Sequence, residues 1–224
     1  MAKQALISHP RPLASFQAAE ERIEMLRRQD PSNLHPQSHS IFLSHGKRTR
    51  FSIVWFHGYT SSPAQFAALA KECHRIGFNV YVPRLPCHGE ADPLSQATRS
   101  LTAEMLARAT DEAIDIAYGL GEEVMIGGLS MGGVLTAWAA QQRQVRKAVI
   151  ISPALSVKNL PTSLVKLVTF IIRATPDKMR WWNKDQRENY DKPDYQYRWH
   201  SMHGLAAILR LSFRVESWSK KTAP

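Results

Sequence analysis

The 224-residue sequence predicts an α/β fold, a mostly parallel sheet with helices on both faces. Three observations carry this. Short apolar runs of strand length alternate with segments of helical periodicity through residues 41–154. The runs Phe51-Ser52-Ile53-Val54-Trp55-Phe56 and Ala148-Val149-Ile150-Ile151 are near-continuously apolar, as in strands covered on both faces. The run Val124-Met125-Ile126-Gly127-Gly128 breaks at Leu129-Ser130-Met131-Gly132-Gly133 into a small-and-apolar segment, which reads as strand, sharp turn, helix. Such β-α-β alternation gives parallel strands joined by right-handed crossovers.

The elements follow in order. Pro10 and Pro12 keep regular structure out of residues 1–12, read as a frayed arm. Phe16, Ala19, Ile23 and Leu26 recur at helical spacing, so residues 15–28 read as an amphipathic helix, stopped by Asp30-Pro31. Residues 31–39 are polar loop. Residues 40–43 form a short strand, and Ser44-His45-Gly46-Lys47 a hairpin-like turn into the strand 51–56. A helix follows with Ser62 as N-cap, Pro63 at its first position and Gln65 completing a capping box. Its inner face is Phe66, Leu69, Cys73 and Ile76, and Gly77 stops it. A strand at 78–82 leads into a loop over 83–93. The helix from Thr102 turns Leu106, Ala109, Ala113 and Ile116 inward and ends at Gly119. Strands 124–128 and 147–151 flank the helix after Ser130. The rhythm then breaks: 164–172 is an apolar helix, an aromatic and charged stretch contains Trp181, Trp182, Tyr190, Tyr195, Tyr197 and Trp199, and 205–213 is a last helix. The domain reading is an arm and helix at 1–40, a core at 41–154, a helical cap at 155–204 and the start of a further core segment at 205–224.

Composition narrows the function classes. Two cysteines, Cys73 and Cys87, do not make a disulfide framework. No secretory signal is visible in the first 30 residues, and the longest apolar run falls far short of the ~20 residues that a membrane span needs; the expected location is cytoplasmic. The net charge is +10. Residues 1–155 carry 16 Lys+Arg against 13 Asp+Glu, and residues 156–224 carry 13 against 6. No nucleic-acid motif accompanies the basic C-terminal third. It reads first as a solvated face and second as a weak contact with an anionic membrane surface. Oligomeric state is left open.

Gly128-x-Ser130-x-Gly132 is the nucleophile-elbow pattern. A sharp turn places the serine at the C-terminal end of a strand, where ligands bind in open α/β sheets. The next helix offers its unpaired N-terminal N–H groups to a developing negative charge. The oxyanion donors of such a site are the N–H of the residue after the serine, Met131, and one from the loop after the first long strand. That loop is His57-Gly58-Tyr59-Thr60, where Gly58 lets the backbone turn inward. Tyr59 N–H is the expected second donor, with Thr60 N–H as the alternative. His57 and His88 are read as shaping their loops rather than as the base. No cofactor and no metal site is expected.

The chain resembles the bacterial α/β-hydrolases of the carboxylesterase, monoglyceride-lipase and serine-aminopeptidase-like group. The residues that carry this are His57-Gly58-Tyr59-Thr60, Gly77-Phe78-Asn79-Val80 leading to Pro83-Arg84-Leu85-Pro86 and His88-Gly89, and Gly128-Leu129-Ser130-Met131-Gly132-Gly133. They cover 41–153 well and the rest weakly. The resemblance implies hydrolysis of a small-molecule ester, or a related acyl transfer, through a Ser–Asp–His triad without a cofactor. A peptidase or amidase of the same fold is the nearest alternative, and a binding protein without catalysis the next. Triad order in this fold is Ser, Asp or Glu, then His, and the family's acid and base follow strands beyond the cap. After Ser130 the histidines are His200 and His203, and the aspartates Asp177, Asp185, Asp191 and Asp194 all fall in the cap. The expectation is therefore a hydrolase core whose C-terminal strands are missing, with nucleophile and oxyanion hole present, acid and base absent and hydrolysis lowered by orders of magnitude to the point of inactivity, strand 147–151 left as an apolar sheet edge and residues 205–224 leading up to an absent strand.

Overall fold

The computed structural model describes residues 6–157, 160–182 and 193–222. Tyr190, Asp185 and Asp191 lie outside the described residues. Helix α1 spans Phe16–Arg28, capped by the Ser15 hydroxyl, which accepts from Ala18 N. Strands β1 (Ile41–Leu43) and β2 (Thr49–Phe56), helix α2 (Ala67–Arg75) and strand β3 (Asn79–Val82) follow. Next come α3 (Ala103–Leu120), β4 (Gly121–Leu129), α4 (Met131–Ala140) and β5 (Lys147–Ile151). The last elements are α5 (Thr162–Ala174), the pair β6 (Met179–Trp181) and β7 (Trp199–Ser201), and α6 (Met202–Thr222).

The main sheet has the order β1-β3-β2-β4-β5. Strands β2 to β5 are parallel and β1 is antiparallel to β3. Side chains of the central strands alternate between two cores, as the pleat requires. Val54, Phe56, Val124 and Ile126 face one core with α1, α3, α4 and α6. Ile53, Trp55, Val80 and Val82 face the other with Phe66 and Ala70. Helix α4 is buried along nearly its whole length, so its apolar character all round needs no polar stripe. Strand β5 is the sheet's edge: Val149 and Ile150 are 43% and 44% exposed.

Several expectations are corrected. The 44–47 turn does not make a hairpin. It carries the chain across the end of β3, where Asn79 accepts from His45 N and donates to Lys47 O. Residues 6–12 are not frayed. Pro10 and Pro12 lack N–H groups, but His9 N, before them, donates to Asp111 and Arg11 N, between them, to Asp115. Those carboxylates also hold the buried Arg143 guanidinium, and Trp138 Nε1 donates to Leu6 O. The arm is thereby stitched to α3 and α4. The expected capping box does not form: residues 63–66 make a 3₁₀ turn, and Ser62 makes no side-chain cap. That tighter turn rotates the helix after it, leaving Leu69 and Ile76 41% and 63% exposed and Ala70 buried. The expected helix at 205–213 is longer: residues 202–222 form one helix, α6, which packs on α4 and α5. Its Ala207, Ile208, Leu211 and Val215 join the larger core.

Candidate active site

The sheet register places Phe56 beside Gly128, so β2 and β4 end together. Ser130 follows with φ 58° and ψ −111°, a conformation that costs an L-residue on the order of 1–3 kcal/mol. Two glycines make it sterically feasible. A Cβ at Gly132 would lie 1.9 Å from Phe56 O, and one at Gly128 would lie 2.3 Å from Gly132 O. The end of β5 ties the turn down, since Ser130 N donates to Ile151 O and Ala154 N to Ser130 O. The serine is half-buried.

Opposite lies the loop after β2. A Cβ placed at Gly58 would lie 3.7 Å from Ser130 Cβ, ordinary van der Waals contact, so this loop lies directly beside the serine. Gly58 N donates to Gln65 Oε1 at 2.8 Å, which is what Gln65 does in place of capping. Thr60 has φ 64°. Among the described residues, the N–H groups of Tyr59, Thr60 and Met131 donate to no partner. Both the expected loop donor and its alternative are thus free, together with the N–H that follows the serine, and an oxyanion hole requires such free donors.

The histidines divide clearly. His57 is fully buried; its Nδ1 lies 3.0 Å from Gly58 O, and its Nε2 accepts from Leu85 N at 3.1 Å. A carbonyl only accepts and an amide only donates, so the ring is neutral with the proton on Nδ1. Burial, reinforced by His88, holds its pKa well below the ordinary value. His88 donates to Pro86 O, and burial brings it down to about 4. His200 packs on the Trp182 ring at 4.2 Å, and burial, with Arg180 adding, lowers it to about 4. His203 is locked by Nε2 to Ile172 O and Thr175 O, each at 2.9 Å. Asp177 accepts from Ser201 Oγ and His203 N at the start of α6, which is a helix-capping role. No hydrogen bond reaches Ser130 Oγ among the described residues. His200, His203 and Asp177 are thus not brought onto the serine, and among the described residues Asp194 makes no hydrogen bond to it.

The residues missed from sequence are those that hold the loop: Gln65, Trp182 and Tyr197. Gln65 carried a signal, but its spacing fits a capping box equally well. A cavity of 680 Å³ between the N-terminal arm, α1 and α3 includes none of the site residues. Among the described residues, no group of three or more His, Cys, Asp or Glu side chains could hold a metal ion, and no helix is long and apolar enough to cross a membrane.

A family model described as the alpha/beta hydrolase family matches residues 53–224. No curated protein matches the chain. Among solved structures, the chain is similar to one from work on LipS and LipT, two metagenome-derived lipolytic enzymes, with 22% identity and a TM-score of 0.61, covering 82% of this chain and 71% of that one. It is similar to a monoacylglycerol lipase of Paleococcus ferrophilus, with 22% identity, a TM-score of 0.59, and coverage of 80% and 71%. A soluble variant of the Saccharomyces cerevisiae monoglyceride lipase shows 13% identity and a TM-score of 0.57, with coverage of 77% and 64%. At these identities the likeness bears on the fold.

Proposed function

The chain belongs to the alpha/beta hydrolase family, and from that premise we propose that it is a serine hydrolase of carboxylic esters, of carboxylesterase or monoacylglycerol-lipase type, acting through an acyl-enzyme on Ser130. One observation carries the reading. Ser130 sits in a strained turn between β4 and α4, facing a loop in which, among the described residues, the N–H groups of Tyr59 and Thr60 donate to no partner. In this reading Ser130 Oγ attacks the ester carbonyl. The N–H groups of Tyr59 and Met131 receive the oxyanion, the alcohol leaves, and water releases the acid. His57, Gly58, Gly128 and Gly132 shape the backbone around these groups. Ester rather than amide is chosen because the structural neighbours named above are lipolytic enzymes and monoacylglycerol lipases.

Among the described residues no hydrogen bond reaches Ser130 Oγ, which favours a second reading, a hydrolase-fold binding protein that keeps the pocket without a base. Hydrolysis of p-nitrophenyl butyrate by the purified chain, with fluorophosphonate labelling, separates the two. Turnover and labelling that disappear in Ser130→Ala support the enzyme. A protein that neither turns over nor labels supports the binding reading. The helical cap at 155–204, a cytoplasmic location and a weak electrostatic contact of the basic C-terminal third with anionic membranes belong to the same proposal. The membrane contact predicts vesicle binding that fades as salt shortens the Debye length to about 3 Å at 1 M.

A further inference from the structure

Thr60 is where the loop after β2 meets the β6–β7 hairpin. Its Oγ1 accepts from Trp182 Nε1 at 2.8 Å, and its carbonyl accepts from Tyr197 N at 2.9 Å. One residue earlier, Tyr59 OH donates to Ser201 O at 2.9 Å. The Tyr59 ring sits edge-on to Trp182 and His200 at 6.2 and 5.9 Å. A Cβ at Gly204 would lie 2.2 Å from the Tyr59 hydroxyl, so the start of α6 is cut to fit that phenol. The hairpin has its own anchors on the 90–95 loop: Tyr197 OH accepts from Glu90 N, Arg198 N donates to Pro93 O, and Trp199 Nε1 donates to Ser95 O.

The two neighbours of Tyr59 are therefore pinned from opposite sides. Gln65 holds Gly58 N, and the hairpin holds the hydroxyl and the carbonyl of Thr60. The Tyr59 N–H between them is left free. Thr60 also keeps a left-handed φ of 64°, which persists only where surroundings over-determine it. We propose that Thr60 and Trp182 are positioning residues for the oxyanion donor: the β6–β7 hairpin clamps the 57–60 loop and aims Tyr59 N–H, and it does not swing away from that loop during turnover. The proposal rests on the reading of Ser130 and Tyr59 given above. A donor must stay about 2.7–3.1 Å from the oxyanion position to act, so a loosened loop costs rate in the transition state rather than ground-state binding.

The test uses the full chain with Trp182→Phe, Thr60→Val and Thr60→Ser. Trp182→Phe removes the donor and Thr60→Val the acceptor, while Thr60→Ser keeps the acceptor. Two readouts are taken: steady-state hydrolysis of p-nitrophenyl butyrate, and hydrogen exchange of the amides of residues 57–61. The first two variants are expected to lower kcat about 10-fold with KM within about two-fold, to speed loop exchange about 10-fold, and to melt within a few degrees of wild type. Thr60→Ser restores both readouts. Unchanged exchange in Trp182→Phe and Thr60→Val, or a rise in KM with kcat intact, overturns the clamp. If wild-type protein neither turns over nor labels at Ser130, the catalytic reading fails separately, and the exchange rates alone decide whether the hairpin holds the loop.

Discussion

Gly132→Ala tests the tightest glycine position among the described residues. The added Cβ would lie 1.9 Å from Phe56 O, 2.5 Å from Phe56 C and 2.9 Å from His57 O. All three are main-chain atoms at the end of β2, and no side chain can rotate out of the way. Ordinary C···O contact begins near 3.2 Å, so α4 and β2 must part by about 1 Å, or their ends must bend. Overpacking of this kind costs about 1–3 kcal/mol or more, and with both partners rigid backbone the upper end applies. For a chain of this size each kcal/mol lowers Tm by about 2–4 °C, so a fall of about 6–12 °C is expected in a thermal melt followed by circular dichroism. Gly46→Ala is the control. It also sits at positive φ, 71°, but a Cβ there meets nothing within 4 Å; it carries only the left-handed backbone cost of about 1–2 kcal/mol. Equal melting points for the two variants would refute the argument that β2 and α4 are held in contact by the missing Cβ. Ser130 labelling by a fluorophosphonate should fall with Gly132→Ala and stay at the wild-type level with Gly46→Ala.

Two further outcomes follow from buried charge. Arg143 has 1% of its side chain exposed and serves both Asp111 and Asp115; Arg143→Met leaves two buried carboxylates without their cation and should cost about 3–5 kcal/mol in urea unfolding, with the N-terminal arm becoming protease-sensitive. Acid lability should begin below about pH 6.5. Burial holds His88 and His200 at about 4 and His57 well below its ordinary value, whereas in the unfolded chain they titrate near 6.5. Between these limits the unfolded state binds more protons. Stability is therefore fully present above pH 6.5 and is lost as pH falls towards 4, by about 1.4 kcal/mol per pH unit for each histidine involved. His200→Phe should make the urea midpoint less steep in pH between 6.5 and 4.5, and an unchanged slope would show that His200 is not among the groups responsible.

The sharp turn at Ser130 between a strand and a helix was legible because its requirements are local. Strand, glycine, serine and glycine lie within ten residues, and each glycine answers a close approach that the structure shows. The same holds for α1 and α3, whose caps Ser15 and Thr102 each bond the N–H three residues on. What was not legible depends on partners far away in sequence. The short β1 pairs with β3 rather than β2 because Asn79, 34 residues beyond His45, draws the 44–48 segment across the end of β3. The arm at 6–12 looked unstructured by its prolines, yet its N–H groups find carboxylates more than 100 residues later. Gln65 reads as a capping residue in any sequence window, and only the fold brings Gly58 N to its side chain. Trp182, 122 residues from Thr60, carries no sequence signal that links it to the 57–60 loop.

Strain supplies an argument about function that does not depend on the motif. Two non-glycine residues with positive φ flank the free N–H groups, Ser130 at 58° and Thr60 at 64°. Each is held by hydrogen bonds from elsewhere in the fold: Ser130 by Ile151 and Ala154, Thr60 by Tyr197 and Trp182. A turn that served only to connect β4 to α4 would be better made by glycine, which takes this conformation without a steric penalty. Ser130→Gly should thus stabilise the fold. Relief of about 1–3 kcal/mol of strain, less about 0.5–1 kcal/mol for the greater chain entropy of glycine, leaves a net gain of about 1 kcal/mol, or about 2–4 °C in Tm. Ser130→Ala is the comparison, because it keeps the Cβ and so the strain while removing the hydroxyl. If Ser130→Gly melts above both wild type and Ser130→Ala, the serine is kept at a cost to stability, as expected of a group retained for chemistry. If it melts no higher than Ser130→Ala, no strain is stored at the turn, and the case for Ser130 as nucleophile loses its physical support and rests on the glycine pattern alone.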